Sequence, residues 1–187
     1  MADLLTRTGA LDGWAGRFAA LPDSVTLLSE PFHAMVAVRL AAGPALPPDP
    51  AALRGLAPAP GPNAWTQGDR VDAVWLGPDE VLLTSPFLSP AELCERSGGT
   101  DVSAQRTTIR LRGAHARDVL ETGCAIDLHP RSFGTGSAAV TMLGQANVVL
   151  LALGENDYRV LVRSSFAAYL AEWLIDAAQE YSTVEDT

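Results

Sequence analysis

The most regular pattern of hydrophobic and polar positions lies in the second half of the chain. Three short hydrophobic segments, residues 138–142, 148–153 and 158–162, follow one another there, separated by Gly144 and by the polar residues 154–157. Hydrophobic segments of this length between turn-forming residues predict three consecutive antiparallel strands. The middle segment is hydrophobic throughout, so we expect it to be buried on both faces.

Further hydrophobic segments predict four more strands, at residues 32–40, 71–76, 80–84 and 106–112. The second and third of these flank Gly77-Pro78-Asp79, which is a typical turn sequence. In the fourth, Thr107, Ile109 and Leu111 alternate with polar residues. This alternation is typical of a strand with one face in solvent.

Helical spacing of hydrophobic residues predicts four helices. The first covers residues 11–21 and ends at Pro22, the second covers 90–96, and the third covers 114–122. Gly123 is expected to end the third helix in the left-handed conformation. The last helix is expected to be capped by Ser164 or Ser165. Its hydrophobic stripe consists of Phe166, Leu170, Trp173, Leu174, Ala177 and Tyr181.

The order of these elements predicts an α+β fold, with helices packed on an antiparallel sheet. Residues 41–62 contain most of the prolines, which indicates a loop or linker and the single candidate boundary. We therefore expect an N-terminal segment (1–64) of helix, strand and Pro/Gly-rich loop that packs on an α+β domain (65–181). A frayed tail (182–187) is expected to follow.

The amino-acid composition and net charge exclude several classes of function. The formal net charge is −9, and all 13 basic residues are arginines. An acidic chain without a basic cluster is unsuited to nucleic acid binding, and the lack of lysine excludes Schiff-base and P-loop lysine chemistry. At 48% hydrophobic residues in 187, we expect part of the hydrophobic surface to face a partner.

The chain is expected to be cytoplasmic. It begins Met1-Ala2-Asp3, without the basic start of a secretory signal, and it has no hydrophobic run long enough for a membrane span. Cys94 and Cys124 are its two cysteines, and neither lies in a recognisable motif. This cysteine usage is typical of a reducing compartment.

Residue types that form catalytic or metal sites occur in a few places. Residues 134–137 (Gly-Thr-Gly-Ser) lack the strand and helix that flank a phosphate-binding loop. Cys124, Asp127 and His129 are potential metal ligands, and the alternative is a core thiol with a capping carboxylate. Residues 101–103 (Asp-Val-Ser) are interpreted as a turn cap. We predict no catalytic, cofactor-binding or metal-binding residue in this chain.

The tryptophans are interpreted by their position in the predicted elements. Trp75 and Trp173 lie in regular elements and are expected in the core. Trp65 follows the proline-rich loop and is a candidate anchor at an interface between subunits, since tryptophan is enriched at such positions.

Three motifs resemble those of one known family. Residues 75–80 (Trp-Leu-Gly-Pro-Asp-Glu), 123–130 (Gly-Cys-Ala-Ile-Asp-Leu-His-Pro) and 163–177, which begins Arg-Ser-Ser-Phe, resemble motifs of the sarcosine oxidase gamma subunit in sequence and order. Residues 56–63 resemble a looser pattern of the same family. The resemblance extends from about Leu56 to Tyr181 and covers most of the chain.

A more distant similarity links residues 101–162 to the first half of the aminomethyltransferase (glycine cleavage T protein) folate-binding fold. Ala146 and Asn147 stand where the two acidic residues of those enzymes are expected. Neither side chain can act as a general base. This resemblance therefore implies a folate-binding-like fold without catalysis by this chain.

The gamma-subunit resemblance implies a non-catalytic subunit of a heterotetramer with alpha, beta and delta subunits. That complex converts sarcosine, tetrahydrofolate and oxygen into glycine, 5,10-methylenetetrahydrofolate and hydrogen peroxide. FAD, FMN and NAD are implied in the alpha and beta subunits and zinc in delta, with none of them held by this chain. One alternative is a stand-alone folate-dependent enzyme, for which 187 residues are too few; the other is a stand-alone folate-binding or regulatory module.

Arg131 and Arg163 are further candidates for contacts between subunits. Arginine suits buried bidentate pairing with carboxylates, which makes it common at interfaces. The alternative interpretation places both residues at solvated ends of secondary-structure elements.

Overall fold

A computed structural model describes residues 8–40 and 53–181. The predicted tail at 182–187 and most of the proline-rich segment, residues 41–52, lie outside the described residues. The described elements are α1 (Ala15–Phe18), β1 (Thr26–Ser29), β2 (Ala34–Arg39), β3 (Trp65–Thr66), β4 (Asp72–Gly77), β5 (Glu80–Ser85), α2 (Pro90–Ser97), β6 (Thr100–Asp101), β7 (Arg106–Arg112), α3 (Ala116–Glu121), β8 (Ala138–Leu143), β9 (Ala146–Gly154), β10 (Asp157–Arg163) and α4 (Ala167–Ala178).

The strands form two five-stranded antiparallel sheets. The first has the order β1-β7-β10-β9-β8 and the second the order β3-β4-β5-β2-β6. The predicted α+β class with helices packed on antiparallel strands is confirmed. The sequence pattern suggested one sheet, whereas β2, β4 and β5 pair with one another and form a separate sheet.

Three hydrophobic clusters show how the layers stack. One cluster lies between the first sheet and helices α1, α3 and α4, and another lies between the second sheet and α2. The third cluster lies between the two sheets. It contains Met35, Val74 and Leu82 from the second sheet and Ala138, Val149, Leu151 and Leu161 from the first. The two sheets therefore pack face to face, with helices on both outer faces.

Strand β9 is buried on both faces, as predicted. Val148 and Leu150 point to the helices, and Val149 and Leu151 point to the second sheet; all four are at most 3% exposed. Burial of a continuous hydrophobic strand between two layers is the largest hydrophobic contribution that one strand can make.

The N-terminal segment packs on the rest of the chain by giving one strand to each sheet. β1 pairs with β7, with Leu28 opposite Arg110, and β2 pairs with β5, with Ala37 opposite Leu82. The boundary between residues 64 and 65 stays a prediction. Within the described ranges, no helix is long and hydrophobic enough to cross a membrane.

The first and last helices differ from the prediction. α1 has only four residues, because Gly13 adopts a φ of +139° and ends any longer helix on that side. α4 begins at Ala167 after a 3₁₀ turn at Ser164–Phe166, and no serine caps it. Instead, the Ser164 hydroxyl donates to the Ala104 carbonyl at 3.0 Å.

The predicted stripe on α4 was wrong in part. The residues that face the core are Ala167, Leu170, Ala171, Leu174, Ile175 and Ala178. Phe166 is 44% exposed and Trp173 is only partly buried. The small alanines let the helix approach the sheet closely, so the large aromatic residues lie at the flanks of the contact.

Gly123 does follow α3, but the predicted left-handed conformation was wrong, since its φ lies outside that region. A Cβ atom at this position would stand 2.6 Å from Cζ2 of Trp173. Glycine is therefore required by the close approach of the Trp173 ring, and not by the backbone conformation.

Candidate functional site

A cavity of about 530 Å³ lies at the margin between the two sheets. Its wall comes from the segment before α1, the connection between β1 and β2, and the start of β7. The polar and charged side chains in the wall are Thr8, Asp12, Ser29, Glu30, His33, Ser103, Arg106, Thr107, Thr108 and Ser164.

Ser103 has a structural role in this wall. Its hydroxyl accepts a hydrogen bond from the Met35 N–H at 2.8 Å and lies 2.6 Å from Oδ1 of Asp101, which also accepts from the Ser103 N–H. The predicted turn cap at 101–103 is confirmed. In the described part of the chain, no hydrogen bond joins Ser103 to His33, although both line the cavity. The arrangement ties β2 to the segment after β6.

A network of charged side chains lies beside the cavity. Glu30 accepts hydrogen bonds from Nε and Nη2 of Arg159 at 2.6 and 3.1 Å. The two side chains are only 11% and 17% exposed. Arg159 also lies 3.7 Å from Asp72 of β4, so the network links the first sheet to the second.

Arg110 extends the same network along β7. Its Nε and Nη2 donate to the two carboxylate oxygens of Asp157 at 2.9 and 2.6 Å, and its Nη1 lies 3.9 Å from Glu30. In the ladder between β7 and β10, Arg110 stands directly opposite Arg159. Two arginines at one cross-strand position are therefore neutralised by three carboxylates, those of Glu30, Asp72 and Asp157.

Burial changes the proton affinity of two groups near this network. Burial raises the pKa of Asp72, and the Arg159 guanidinium partly offsets this by favouring the charged carboxylate. Burial lowers the pKa of His33, which Glu30 opposes and Arg159 reinforces. His33 is therefore a neutral ring in the cavity wall at neutral pH.

A second pair of arginines stands at the other end of the same ladder. Arg163, the last residue of β10, is directly opposite Arg106, the first residue of β7. Arg106 is half-buried and lines the cavity, whereas Arg163 is exposed. Burial and the neighbouring Arg163 both lower the pKa of Arg106.

Arg106, Glu30 and Arg159 were missed by the sequence analysis. The alternating pattern of residues 106–112 placed Arg110 and Arg112 on one face, and the same period places Arg106 there too. The alternation in the sequence could therefore have identified Arg106 as a residue on the same face as Arg110. The partners of Arg110 and Arg159 come from the residue after β1, from β4 and from β10, and no local pattern shows which strands pair.

Trp65 lies in β3 and is partly buried against the cluster between the sheets. Its Nε1 donates to the Ala152 carbonyl at 2.9 Å. Ala152 pairs with Tyr158, and Arg163 lies five residues further along β10, about 17 Å away. Trp65 therefore lies near the Tyr158 end of β10, away from Arg163, and a contact role for Trp65 stays a prediction.

Arg131 is exposed, in the loop after α3. Its backbone N–H donates to Nδ1 of His129 at 3.2 Å, and no ion pair of its guanidinium occurs within the described residues. The exposed position of Arg131 does not test its role in contacts between subunits, and that role stays a prediction.

The motif at 75–80 is the hairpin between β4 and β5. Asp79 accepts a hydrogen bond from Nη1 of Arg39 at 2.6 Å, and its carbonyl accepts from the Leu40 N–H at 2.8 Å. Trp75 is only partly buried and belongs to none of the three clusters of the described residues, so the prediction that it lies in the core was wrong. Trp173 is partly buried but packs against the cluster between the first sheet and the helices, so its prediction is confirmed in part. The buried Nε1 of Trp75 has no hydrogen-bond partner in the described structure.

The motif at 123–133 is a compact turn. The Asp127 carboxylate accepts from the His129 N–H at 2.9 Å and from the Ser132 hydroxyl at 2.6 Å, which lowers the pKa of Asp127. Burial raises the pKa of the Cys124 thiol. These contacts agree with the interpretation of Asp127 as a capping carboxylate, and the Cys124 side chain is partly buried.

Known proteins resemble this chain in sequence and in structure. The sarcosine oxidase subunit gamma of Corynebacterium sp. (strain U-96) is 41% identical over 120 residues, which are 60% of this chain and 58% of that protein. Sarcosine oxidase subunit gamma of Arthrobacter sp. is 40% identical over 117 residues, 59% of this chain and 58% of that protein. The matched region thus spans less than two thirds of the length of either relative.

A chain in the solved heterotetrameric sarcosine oxidase from Corynebacterium sp. U-96, in complex with pyrrole 2-carboxylate, superposes with a TM-score of 0.83 and 32% identity. The match covers 97% of this chain and 99% of that chain. The model of the family described as sarcosine oxidase, gamma subunit, matches residues 62–180, more than half of the chain. The chain therefore belongs to the sarcosine oxidase gamma subunit family.

Proposed function

We propose that this chain is a non-catalytic accessory subunit of a heterotetrameric sarcosine oxidase. The observation that carries the proposal is the match, over nearly the full length of both chains, to a chain of such a complex. Its partners are then alpha, beta and delta subunits, and its compartment is the cytoplasm. FAD, FMN, NAD and zinc belong to those partners, and the complex uses sarcosine, oxygen and tetrahydrofolate.

The side chains that look reactive in the sequence have structural roles, which supports a non-catalytic subunit. Burial raises the pKa of Cys124 and so disfavours the nucleophilic thiolate. The Asp127 carboxylate and the Ser103 hydroxyl are held by hydrogen bonds within their own turns. Ala146, which the resemblance to the aminomethyltransferases places at the position of an acidic residue, is fully buried.

Co-expression of the tagged chain with the alpha, beta and delta subunits tests the proposal. We expect one complex with all four chains, a flavin absorption spectrum and peroxide production that depends on sarcosine. The matched control is the same purification with an untagged chain. A tagged chain that elutes alone under these conditions would contradict the accessory role.

The proposal that this chain takes no part in catalysis has a separate test in the assembled complex. Cys124→Ala and Asp127→Asn should leave flavin content and turnover within about twofold of the wild-type complex. A much larger loss of turnover in a fully assembled, flavin-loaded variant would assign a catalytic function to this chain. The isolated chain should produce no peroxide from sarcosine.

Arg131→Ala tests one proposed contact, because Arg131 is exposed and its removal leaves the fold intact. A contact role predicts weaker assembly with an unchanged melting temperature of the isolated chain. Trp65→Phe is a second test. It keeps an aromatic ring against the cluster between the sheets and loses the bond to Ala152. Unchanged complex yield in both variants would remove these two contacts.

A further inference from the structure

The side of β7 and β10 that faces the second sheet carries two cross-strand pairs of arginines. Arg110 is opposite Arg159, and Arg106 is opposite Arg163. The two pairs are four residues apart along each strand, or about 13 Å. They have the same cross-strand geometry, so the partners of the first pair indicate what the second pair can bind.

The first pair is fully neutralised within the chain. Glu30 and Asp157 lie within hydrogen-bond distance of its two guanidinium groups, and Asp72 lies 3.7 Å from Arg159. The second pair has no carboxylate within 4 Å in the described ranges 8–40 and 53–181. Glu80, the carboxylate that acts on Arg106 at longer range, pairs with Arg39 at 3.8 Å.

Arg106 stands out among the arginines that are not exposed. Arg110 donates to Asp157, Arg159 donates to Glu30, and Arg117 donates to the Tyr158 hydroxyl. Arg106 is also half-buried but has no such acceptor within the residues that the structure describes. Like charges directly opposite in a ladder destabilise it, and a half-buried cation without a partner adds a desolvation penalty.

We propose that the Arg106–Arg163 pair binds the carboxylate of an Asp or Glu side chain from a partner subunit. This inference rests on the proposed function and names one contact of the docking surface. The two arginines stand directly opposite each other in the ladder, and guanidinium groups match a carboxylate in shape and charge. Arg163 is open to solvent, and the cavity beside Arg106 lets an acidic side chain reach the half-buried member of the pair.

The surroundings of the pair favour a protein side chain as the source of the carboxylate. Phe166 follows three residues after Arg163, in the 3₁₀ turn, and is 44% exposed. An exposed aromatic ring next to arginine is typical of the energetic centre of a protein interface. In a chain with a net charge of −9, an arginine pair that no carboxylate of the described residues neutralises favours an acidic group on its partner.

The test compares variants in the assembled four-chain complex. The double variant Arg106→Gln with Arg163→Gln removes both charges, and Arg112→Gln is the matched control, because Arg112 is an exposed arginine on the same face of β7. We expect the dissociation constant of the double variant to rise about 100-fold at 0.1 M salt, with a weaker dependence on salt. Arg112→Gln should change it less than about threefold. An equal effect of both variants would overturn the inference.

A readout on the isolated chain separates binding from a structural role. Removal of two like charges should leave the melting temperature of the double variant unchanged or raise it. A lower melting temperature together with weaker assembly would show that the pair stabilises the fold itself, which contradicts the inference.

Three further outcomes separate this inference from the proposed function and from binding of a free carboxylate. A wild-type chain that does not assemble would overturn the proposed function, and with it this contact. If the wild-type and double-variant chains assemble within threefold of each other, the inference alone is overturned. Stabilisation of the isolated wild-type chain by millimolar acetate, lost in the double variant while assembly stays normal, would make a free carboxylate the ligand and overturn the assignment to a partner.

Discussion

Glu30→Gln is the substitution that tests most directly how the two sheets are held at their margin. It keeps the size of the side chain and removes its charge. In the wild-type chain, Glu30 accepts two hydrogen bonds from Arg159 at 2.6 and 3.1 Å, and both side chains are largely buried. The variant leaves the Arg159 charge with Asp72 at 3.7 Å as its remaining neighbour.

The expected cost follows from burial. A charged hydrogen bond contributes about 1.5–3 kcal/mol, and removal of one member of a buried ion pair costs about 3–5 kcal/mol. Since Asp72 still compensates part of the Arg159 charge, we expect the free energy of unfolding to fall by about 2–4 kcal/mol. Urea unfolding followed by circular dichroism measures this change, and an unchanged m-value would confirm that the folded state is the same.

The chain contains its own control for this prediction. Arg17 and Glu172 form another bidentate pair between distant segments, but their side chains are 47% and 56% exposed. Glu172→Gln should therefore cost less than about 1 kcal/mol. Equal losses in the two variants, or a loss below about 1 kcal/mol in Glu30→Gln, would refute the argument from burial.

Two other predictions concern single sites. Gly123→Ala places a Cβ 2.6 Å from the Trp173 ring and should lower the free energy of unfolding, measured by urea titration, by about 1–3 kcal/mol. At Gly61 an added Cβ would have nothing within 4 Å, so Gly61→Ala should be neutral in the same titration. Equal effects of the two variants would contradict the steric argument. The lowered pKa of Asp127 means that its contribution to stability is present above the ordinary Asp pKa of 3.8 and is lost as the pH falls through the lower pKa of the folded state. Below about pH 4, the melting temperature of the Asp127→Asn variant should therefore fall less on acidification than that of the wild-type chain. Identical dependence of the melting temperature on pH in the two proteins would show that the hydrogen bonds of Asp127 do not stabilise the turn.

Strand pairs were predicted correctly where the two strands follow each other in sequence and are joined by a short turn. The β4–β5 hairpin and the succession β8, β9, β10 follow from alternating or hydrophobic segments with turn residues between them. The division into two sheets was not predictable in this way. It depends on β2 pairing with β5 and β1 with β7, across 40 or more residues in sequence, and a local pattern carries no information on such pairing.

The helices show a different limit. The hydrophobic pattern of α4 predicted that Phe166 and Trp173 lie in the core, because large hydrophobic residues are most often buried. In the structure, Ala167, Ala171 and Ala178 lie against the sheet and are fully buried. The close packing of small residues thus decides which face is buried, and the period alone does not distinguish neighbouring faces of one helix.

The candidate contact residues illustrate both limits together. Arg163 was selected from its residue type alone, and only the register between β7 and β10 shows that it forms a pair with Arg106. The same register places Arg110 opposite Arg159, where the chain itself supplies Glu30, Asp157 and Asp72. Two pairs with the same geometry thus differ in whether the described chain neutralises them. An arginine pair without a carboxylate among the described residues is a cost to the folded chain, and the contact proposed above, an acidic side chain of a partner, would offset that cost.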